Sequence, residues 1–161
     1  PERVIVCVLP AGTQLANGLR HLSTCAVIAM ASDRKLLLDP SESMASAFFF
    51  QNQACLPCAV ISPSEWKGVC EVIDEDAAYN FLLKRHPYTN WHPLVEGTCR
   101  EGSLKADRIA LRSIYAVRPS AMSDANFARS KLAFYSACRW PIELRARAAE
   151  WAKEQRFRKG G

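Results

Sequence analysis

The chain has 161 residues, of which 49% are hydrophobic and 23% charged, with a formal net charge of +5. These proportions are typical of globular proteins and exclude wholesale disorder. The length predicts one domain with its own core, residues 1–155, followed by a short basic tail, residues 156–161. No apolar run approaches the ~20 residues of a membrane-spanning helix, so we expect no membrane association.

The first half of the chain predicts alternating strands and helices. Residues 4–9 form a continuous apolar, β-branched run that is typical of a strand buried on both faces. Thr13 can cap a helix after this strand, because apolar residues then recur three and four positions apart from Leu15 to Ala29. Three further short strands are expected at residues 35–38, 45–50 and 58–61.

Ser62 and Glu65 have the spacing of a capping box, with Pro63 in the first turn. This pattern predicts that a helix begins at Ser62, and that its buried face carries Trp66, Val69, Cys70 and Ile73. A second helix is expected at residues 75–85. Residues 86–103 contain two Pro and two Gly and lack an apolar period, which predicts a long loop.

The second half predicts a strand at residues 108–117 and two helices, at residues 123–138 and from Pro141 to about residue 155. The first of these helices has an apolar stripe formed by Phe127, the stem of Lys131, Phe134 and Cys138. The chain therefore has the pattern of a single α/β domain with a small mixed central sheet flanked by helices. Its core strands are expected at residues 4–9, 58–61 and 108–117.

Seven cysteines are present, an odd number that does not suit a secreted disulfide scaffold. Cys7, Cys25 and Cys138 fall in apolar patterns, where a free cysteine behaves as a small buried hydrophobe. We therefore expect a reducing intracellular compartment, either the cytoplasm or the mitochondrial matrix. The chain begins at Pro1 instead of Met, so we also expect an upstream segment.

Cys55 and Cys58 are separated by two residues, a spacing used by redox sites and by zinc sites. A redox site needs a helix after the first cysteine, whereas a strand-like run follows here. A structural zinc ion is the alternative, and its further ligands would come from His86, His92 or Cys99. His86 and His92 are six positions apart, beyond the usual finger spacing, and Cys99 has no near partner. Cysteines that are simply buried are therefore the preferred explanation, and no cofactor is assigned.

Glycine-rich phosphate loops are absent from the sequence, which excludes P-loop enzymes and Rossmann dehydrogenases. No complete catalytic signature is present either, and no catalytic residue is assigned from the residues alone.

Positive charge concentrates at the end of the chain. Residues 1–99 carry 7 Lys or Arg against 10 Asp or Glu, a net of −3, whereas residues 100–161 carry 14 against 6, a net of +8. Clustered cations of this kind attract polyanions. The candidate RNA-binding residues are Arg139, Arg145, Arg147, Lys153, Arg156, Arg158 and Lys159.

Trp140, Trp151 and Phe157 are interleaved with these cations. Arginine binds phosphate in a bidentate manner, and an exposed indole stacks on an unpaired base. The alternative is a solvated helix in which Glu143, Glu150 and Glu154 pair with the arginines and Trp151 is buried.

Three stretches resemble the type II peptidyl-tRNA hydrolase fold and uncharacterised bacterial relatives of that fold: residues 4–23, 56–71 and 108–127. The first is similar to the family's apolar strand, Pro/Gly turn and Asn-bearing helix, and the second to its proline-led strand and Ser-capped helix. The family has a basic residue shortly after the first strand, whereas this chain has Leu9-Pro10-Ala11-Gly12 there. No catalytic residue is therefore carried over from the resemblance.

The resemblance implies structured RNA, either tRNA or rRNA, as the partner. Together with the charge distribution, it predicts a non-catalytic RNA-associated component of a ribonucleoprotein, such as the ribosome or an assembly intermediate. Two alternatives remain open. One is an active esterase of the peptidyl-tRNA hydrolase type, and the other is a basic protein-interaction module with or without a structural zinc ion.

Overall fold

The computed structural model describes residues 1–74, 106–112 and 123–160. Its elements in chain order are β1 (Val4–Val8), α1 (Leu15–Ala31), β2 (Lys35–Asp39), α2 (Ser46–Gln51), β3 (Ala59–Val60), β4 (Glu71–Asp74), β5 (Arg108–Arg112), α3 (Asp124–Ala137) and α4 (Ile142–Gly160). The predicted helix at 75–85, the predicted loop at 86–103 and the predicted strand residues 113–117 lie outside the described residues.

The five described strands form one sheet in the order β3-β2-β1-β5-β4. Every described pair is parallel, and Val4 lies opposite both Lys35 and Arg108. The α/β class is confirmed, and within the described strands the sheet is parallel and not mixed as expected. The physical reason is visible in the first unit, where α1 carries the chain back so that β2 runs in the same direction as β1.

β1 is the central strand, and all five of its residues are buried. Side chains alternate between the two faces of the sheet. Ile5, Cys7 and Leu9 join a core with Leu22 and Phe49 that also includes Phe134 of α3. Val4, Val6 and Val8 lie on the opposite face, where the packed residues include Ile61, Trp66 and Ala110. The second core strand was expected at residues 58–61, but β3 has only two residues and lies at the edge of the sheet.

Residues 61–70, here called the crossing segment, connect the two edges of the sheet, from β3 to β4. The Ser62–Glu65 capping box is confirmed, but it begins only a 3-10 turn, Pro63–Glu65. The predicted helix through Ile73 is wrong: Val69 is 57% exposed, and Ile73 belongs to β4. Gly68 has a φ of +83°, a left-handed conformation that ends the turn and lets the chain extend into β4.

Residues 45–50, predicted as a strand, instead form α2 from Ser46 onwards. The Ser43 hydroxyl donates a hydrogen bond to the Thr13 carbonyl at 2.6 Å and accepts one from the Ala45 N–H at 3.1 Å. These contacts fix a turn just ahead of the helix. Phe49 is then buried while the next residue, Phe50, is exposed. The prediction of a strand was based on three consecutive phenylalanines, a residue type that favours strands. It is wrong because tertiary contacts override this propensity.

Cys7 of β1 and Cys25 of α1 form a disulfide bond, which ties the central strand to the helix above it. The prediction that these two cysteines are free buried thiols is therefore wrong, although both positions are buried as expected. Sequence spacing could not reveal the pairing, because the two residues meet only once α1 has packed on β1. The prediction of a reducing compartment rested in part on free thiols at these positions, and it stays a prediction.

The two C-terminal helices follow the expected boundaries closely. Phe134 of α3 and Cys138, directly after α3, are buried while Phe127 and Lys131 are half-buried, so the predicted stripe is confirmed. α4 continues to Gly160 and includes most of the residues expected as a separate tail. Among the described helices, none combines the length and hydropathy needed to cross a membrane.

Candidate nucleic-acid interface

The junction between α3 and α4 is held against the turn that precedes β3. After α3 ends, the N–H of Arg139 donates a hydrogen bond to the carbonyl of Cys55 at 2.7 Å. The next residue, Trp140, is half-buried, and its ring centroid lies 6.1 Å from that of Phe48 in α2. Pro141 then begins the new helix, where the Arg145 N–H donates to its carbonyl at 3.1 Å.

A cavity of about 460 Å³ opens at this junction, and two of the predicted RNA-binding residues, Arg139 and Arg145, line it. Trp140 also contributes to the wall, and its contact with Phe48 limits its movement. The remaining lining residues are Ser136, Cys138 and Ile142. Two guanidinium groups and an indole around one opening can bind a phosphate and an adjoining aromatic base.

α4 is exposed along its length. From Ile142 to Arg156 every side chain is exposed except Gln155, and Trp151 is 63% exposed. The alternative in which Trp151 is buried is therefore wrong. This large exposed indole, four positions after Arg147, is available for stacking on a base.

The cations of α4 divide between two faces of the helix. Arg145 and Arg156 are eleven residues apart, about three turns, so they share one face about 16 Å long. Lys153 lies three positions before Arg156 and borders the same face. Arg147 instead lies three and four positions from Glu150 and Glu143, on the opposite side of the helix.

We call Arg139, Arg145, Lys153 and Arg156 the cationic strip. All four side chains are exposed, and within the described part of the chain none of them makes an ion pair. The expected pairing of the helix's arginines with Glu143, Glu150 and Glu154 is likewise not found among the described contacts. Arg158 and Lys159 belong to the last turns of α4, and their side chains lie outside the described ones.

The zinc candidates are only partly described. Cys55 and Cys58 are half-buried free thiols, and His86, His92 and Cys99 lie outside the described residues. No cluster of three metal-ligating side chains occurs in ranges 1–74, 106–112 and 123–160.

The structure brings Cys138 close to this cysteine pair, a proximity that no local signal in the sequence indicates. Burial and the nearby Cys138 raise the pKa of the Cys58 thiol to about 12. The zinc hypothesis stays a prediction.

A second location bears on the esterase alternative. The turn after β1 is open, because a Cβ added at Gly12 would meet nothing within 4 Å. Arg112 at the end of β5 lies opposite Val8 at the end of β1, and its guanidinium lies 3.7 Å from the Glu42 carboxylate. A cationic side chain therefore lies at the carboxyl ends of β1 and β5, although the turn after β1 itself contains no basic residue. Sequence reasoning missed Arg112 because it is 100 positions beyond Gly12.

Comparison of the chain with protein-family models, with curated proteins and with solved structures finds no match. The resemblance to type II peptidyl-tRNA hydrolases thus remains a prediction from three stretches of sequence. The functional proposal below is based on the geometry and charge of the described residues.

Proposed function

We propose that this protein binds RNA through the cationic strip and the adjoining cavity, as a non-catalytic component of a ribonucleoprotein. The observation that carries the proposal is the exposure of α4, where the arginines and the lysine of the strip have no carboxylate partner among the described residues and Trp151 is exposed as well. Cations that protein carboxylates do not neutralise are available for phosphates, and binding is then driven by the release of counterions.

Two features of the junction favour a single strand or a loop over a regular duplex. Trp140 lines the same cavity as Arg139 and Arg145, so the base next to a phosphate on the arginines is within reach of the indole. Trp151 lies four positions after Arg147, on that residue's side of α4, so it offers a second stacking surface to a strand that continues around the helix. Bases stacked in a duplex cannot reach such side chains, whereas unpaired bases can.

The test is a titration of fluorescently labelled single-stranded RNA in a salt series. Four phosphate contacts, one for each residue of the cationic strip, predict that log Kd rises with log salt with a slope of about 2.8. The affinity should then fall about 50-fold between about 50 mM and about 200 mM KCl. An affinity that does not change with salt would contradict the proposal.

Two double variants distinguish RNA binding at the cationic strip from RNA binding through the overall positive charge of the protein. Arg145→Ala/Arg156→Ala removes two contacts, so the slope should fall to about 1.4 and the salt effect to about sevenfold. Arg3→Ala/Lys67→Ala is the matched control, since it removes the same charge from exposed positions outside α4. Equal slopes for the two double variants would show that binding is not located at the strip.

An esterase acting on an aminoacyl or peptidyl ester of tRNA, with a peptidyl-tRNA hydrolase-like fold, is a second proposal. The observation that favours it is Arg112, which supplies a cation beside the open turn after β1. A turnover assay with aminoacylated tRNA decides between the two functions. RNA binding without ester cleavage contradicts the esterase, whereas cleavage that is lost in Arg112→Ala supports it.

A basic module that binds an acidic protein is the remaining alternative. In the same titration, polyglutamate should compete fully with RNA if only charge is recognised. Trp151→Ala distinguishes the cases further, because loss of stacking weakens RNA binding about tenfold and leaves polyglutamate binding unchanged.

A further inference from the structure

At the base of α4, Cys138 comes close to two free thiols from much earlier in the chain, Cys55 and Cys58. Cys55 and Cys58 precede and follow the turn ahead of β3, while Cys138 follows α3. Cys138 is part of the main core, and Cys58 packs against that core. Repulsion between thiolate charges couples these thiols in pairs: Cys138 raises the pKa of Cys58, and Cys55 raises the pKa of Cys138.

The backbone brings Cys55 and Cys138 side by side. The N–H of Arg139, the residue after Cys138, donates a hydrogen bond to the Cys55 carbonyl at 2.7 Å. Standard bond lengths then keep the Cα atoms of Cys55 and Cys138 within about 7.5 Å of each other. A disulfide needs Cα atoms about 4.4 to 6.8 Å apart, so at most a small backbone shift is required.

Small oxidants can reach this pair. Cys138 is 9% exposed, and it lines the cavity at the junction together with Arg139 and Arg145. Cys55 is half-buried. The arginines attract anionic oxidants such as glutathione disulfide, which carries carboxylates.

We propose that Cys55 and Cys138 form a second disulfide bond when the protein meets a small-molecule disulfide. One cysteine thiolate attacks glutathione disulfide, which forms a mixed disulfide and releases one glutathione. The other cysteine then attacks the protein sulfur of the mixed disulfide, which forms the Cys55–Cys138 bond and releases the second glutathione. Two protein thiols are oxidised, one glutathione disulfide is reduced to two glutathiones, and the two thiol protons pass to the glutathiones.

The bridge would tie the turn before β3 covalently to the start of α4. At present a backbone hydrogen bond and the Phe48–Trp140 contact fix the direction in which α4 leaves the domain. A covalent bond at Cys138 also changes the wall of the cavity. The proposal concerns a modification site and does not depend on RNA binding.

Burial determines the kinetics of this reaction. Desolvation raises the pKa of Cys138, so only a small fraction of it is thiolate at neutral pH. Attack by the Cys138 thiolate should therefore be slow near about pH 7, and the rate of bridge formation should rise with pH. This pH dependence differs from that of exposed redox sensors, whose low thiol pKa makes them fast at neutral pH.

The test is oxidation of the purified protein by glutathione disulfide, followed by non-reducing peptide mapping. The expected result is a peptide pair linked through Cys55 and Cys138, with a protein mass about 2 Da lower. Cys70→Ser is the control, because Cys70 is a half-buried free thiol of the crossing segment and its loss should leave the bridge intact.

Cys138→Ser and Cys55→Ser should each abolish the linked peptide and leave glutathione on the remaining cysteine. Cys55 is outside the core, so its variant keeps the test valid if Cys138→Ser unfolds. A Cys55–Cys58 bridge, a bridge through any other cysteine, or no bridge in the wild-type protein at about pH 9 would overturn the proposal.

Discussion

Replacing Trp66 with Phe tests how the crossing segment is fixed to the sheet. Trp66 is 4% exposed, and its indole N–H donates a hydrogen bond of 2.5 Å to the carboxylate of Asp39, which is 1% exposed. Phe fills most of the same space and has no donor. The variant therefore leaves a buried carboxylate oxygen without its main partner, since the other oxygen accepts from the Ser41 N–H.

The expected cost follows from this contact. A hydrogen bond to a charged group contributes about 1.5 to 3 kcal/mol, and an unsatisfied buried acceptor carries a desolvation penalty of similar size. The smaller ring also leaves some space unfilled, at about 0.5 to 1 kcal/mol. We expect the free energy of unfolding to fall by about 3 kcal/mol, a large part of the stability of a small domain.

Urea unfolding followed by circular dichroism measures this change, with Trp151→Phe as the matched control. Trp151 is exposed and lacks a polar partner in the described structure, so its variant should stay within about 0.5 kcal/mol of wild type. A double-mutant cycle with Asp39→Ala, which removes the acceptor, should give a coupling energy of about 1 to 3 kcal/mol. Equal stabilities of the two Trp variants, or a coupling energy near zero, would refute the role of this hydrogen bond.

The main core allows two further predictions. Gly18→Ala should lower the free energy of unfolding by about 1 kcal/mol, although alanine has the better helix propensity. The reason is that the new Cβ would lie 3.2 Å from the side chains of Leu9 and Phe49, both fully buried. Thermal melting measures this change with Asn17→Ala, at an exposed position, as the control, and an unchanged or higher melting temperature of Gly18→Ala contradicts the prediction. Burial, together with nearby cations, lowers the pKa of His21 in the folded protein from 6.5 to about 4. Between these pH values the unfolded chain therefore binds more protons than the folded one, and the free energy of unfolding should fall by up to about 3 kcal/mol as pH decreases from about 6.5 to about 4. Urea unfolding at several pH values should show a weaker dependence in His21→Gln, and equal dependence would exclude His21 as the cause.

The sequence was informative wherever a pattern was local and repeated. The apolar run of β1, the periodic stripe of α1 and the stripe that ends at Cys138 each depend on spacing within one element, and the structure confirms all three. The capping box at Ser62 was also read correctly. Its continuation as a long helix was not, because Trp66 is held by Asp39 from another strand.

Features that depend on distant residues were missed. Neither the direction of the strands nor the Cys7–Cys25 bond can be read from spacing, since both arise only when α1 packs on β1. At the candidate site, the cations of the last helix were identified from composition. The cavity that joins Arg139 to Arg145 could not be, because it depends on the contact of Trp140 with Phe48.

The position of β1 in the sheet has a consequence for the order in which the protein folds. β1 pairs on one side with β2, about thirty residues later, and on the other side with β5, where Val4 lies opposite Arg108. During synthesis the unit β1-α1-β2 can therefore form early. The other side of β1 stays unpaired until β5 has been synthesised. Closing so long a loop is slow because of its entropy. Until then the unpaired edge of β1 is open to other strands, and the nascent chain is most prone to aggregate during this interval.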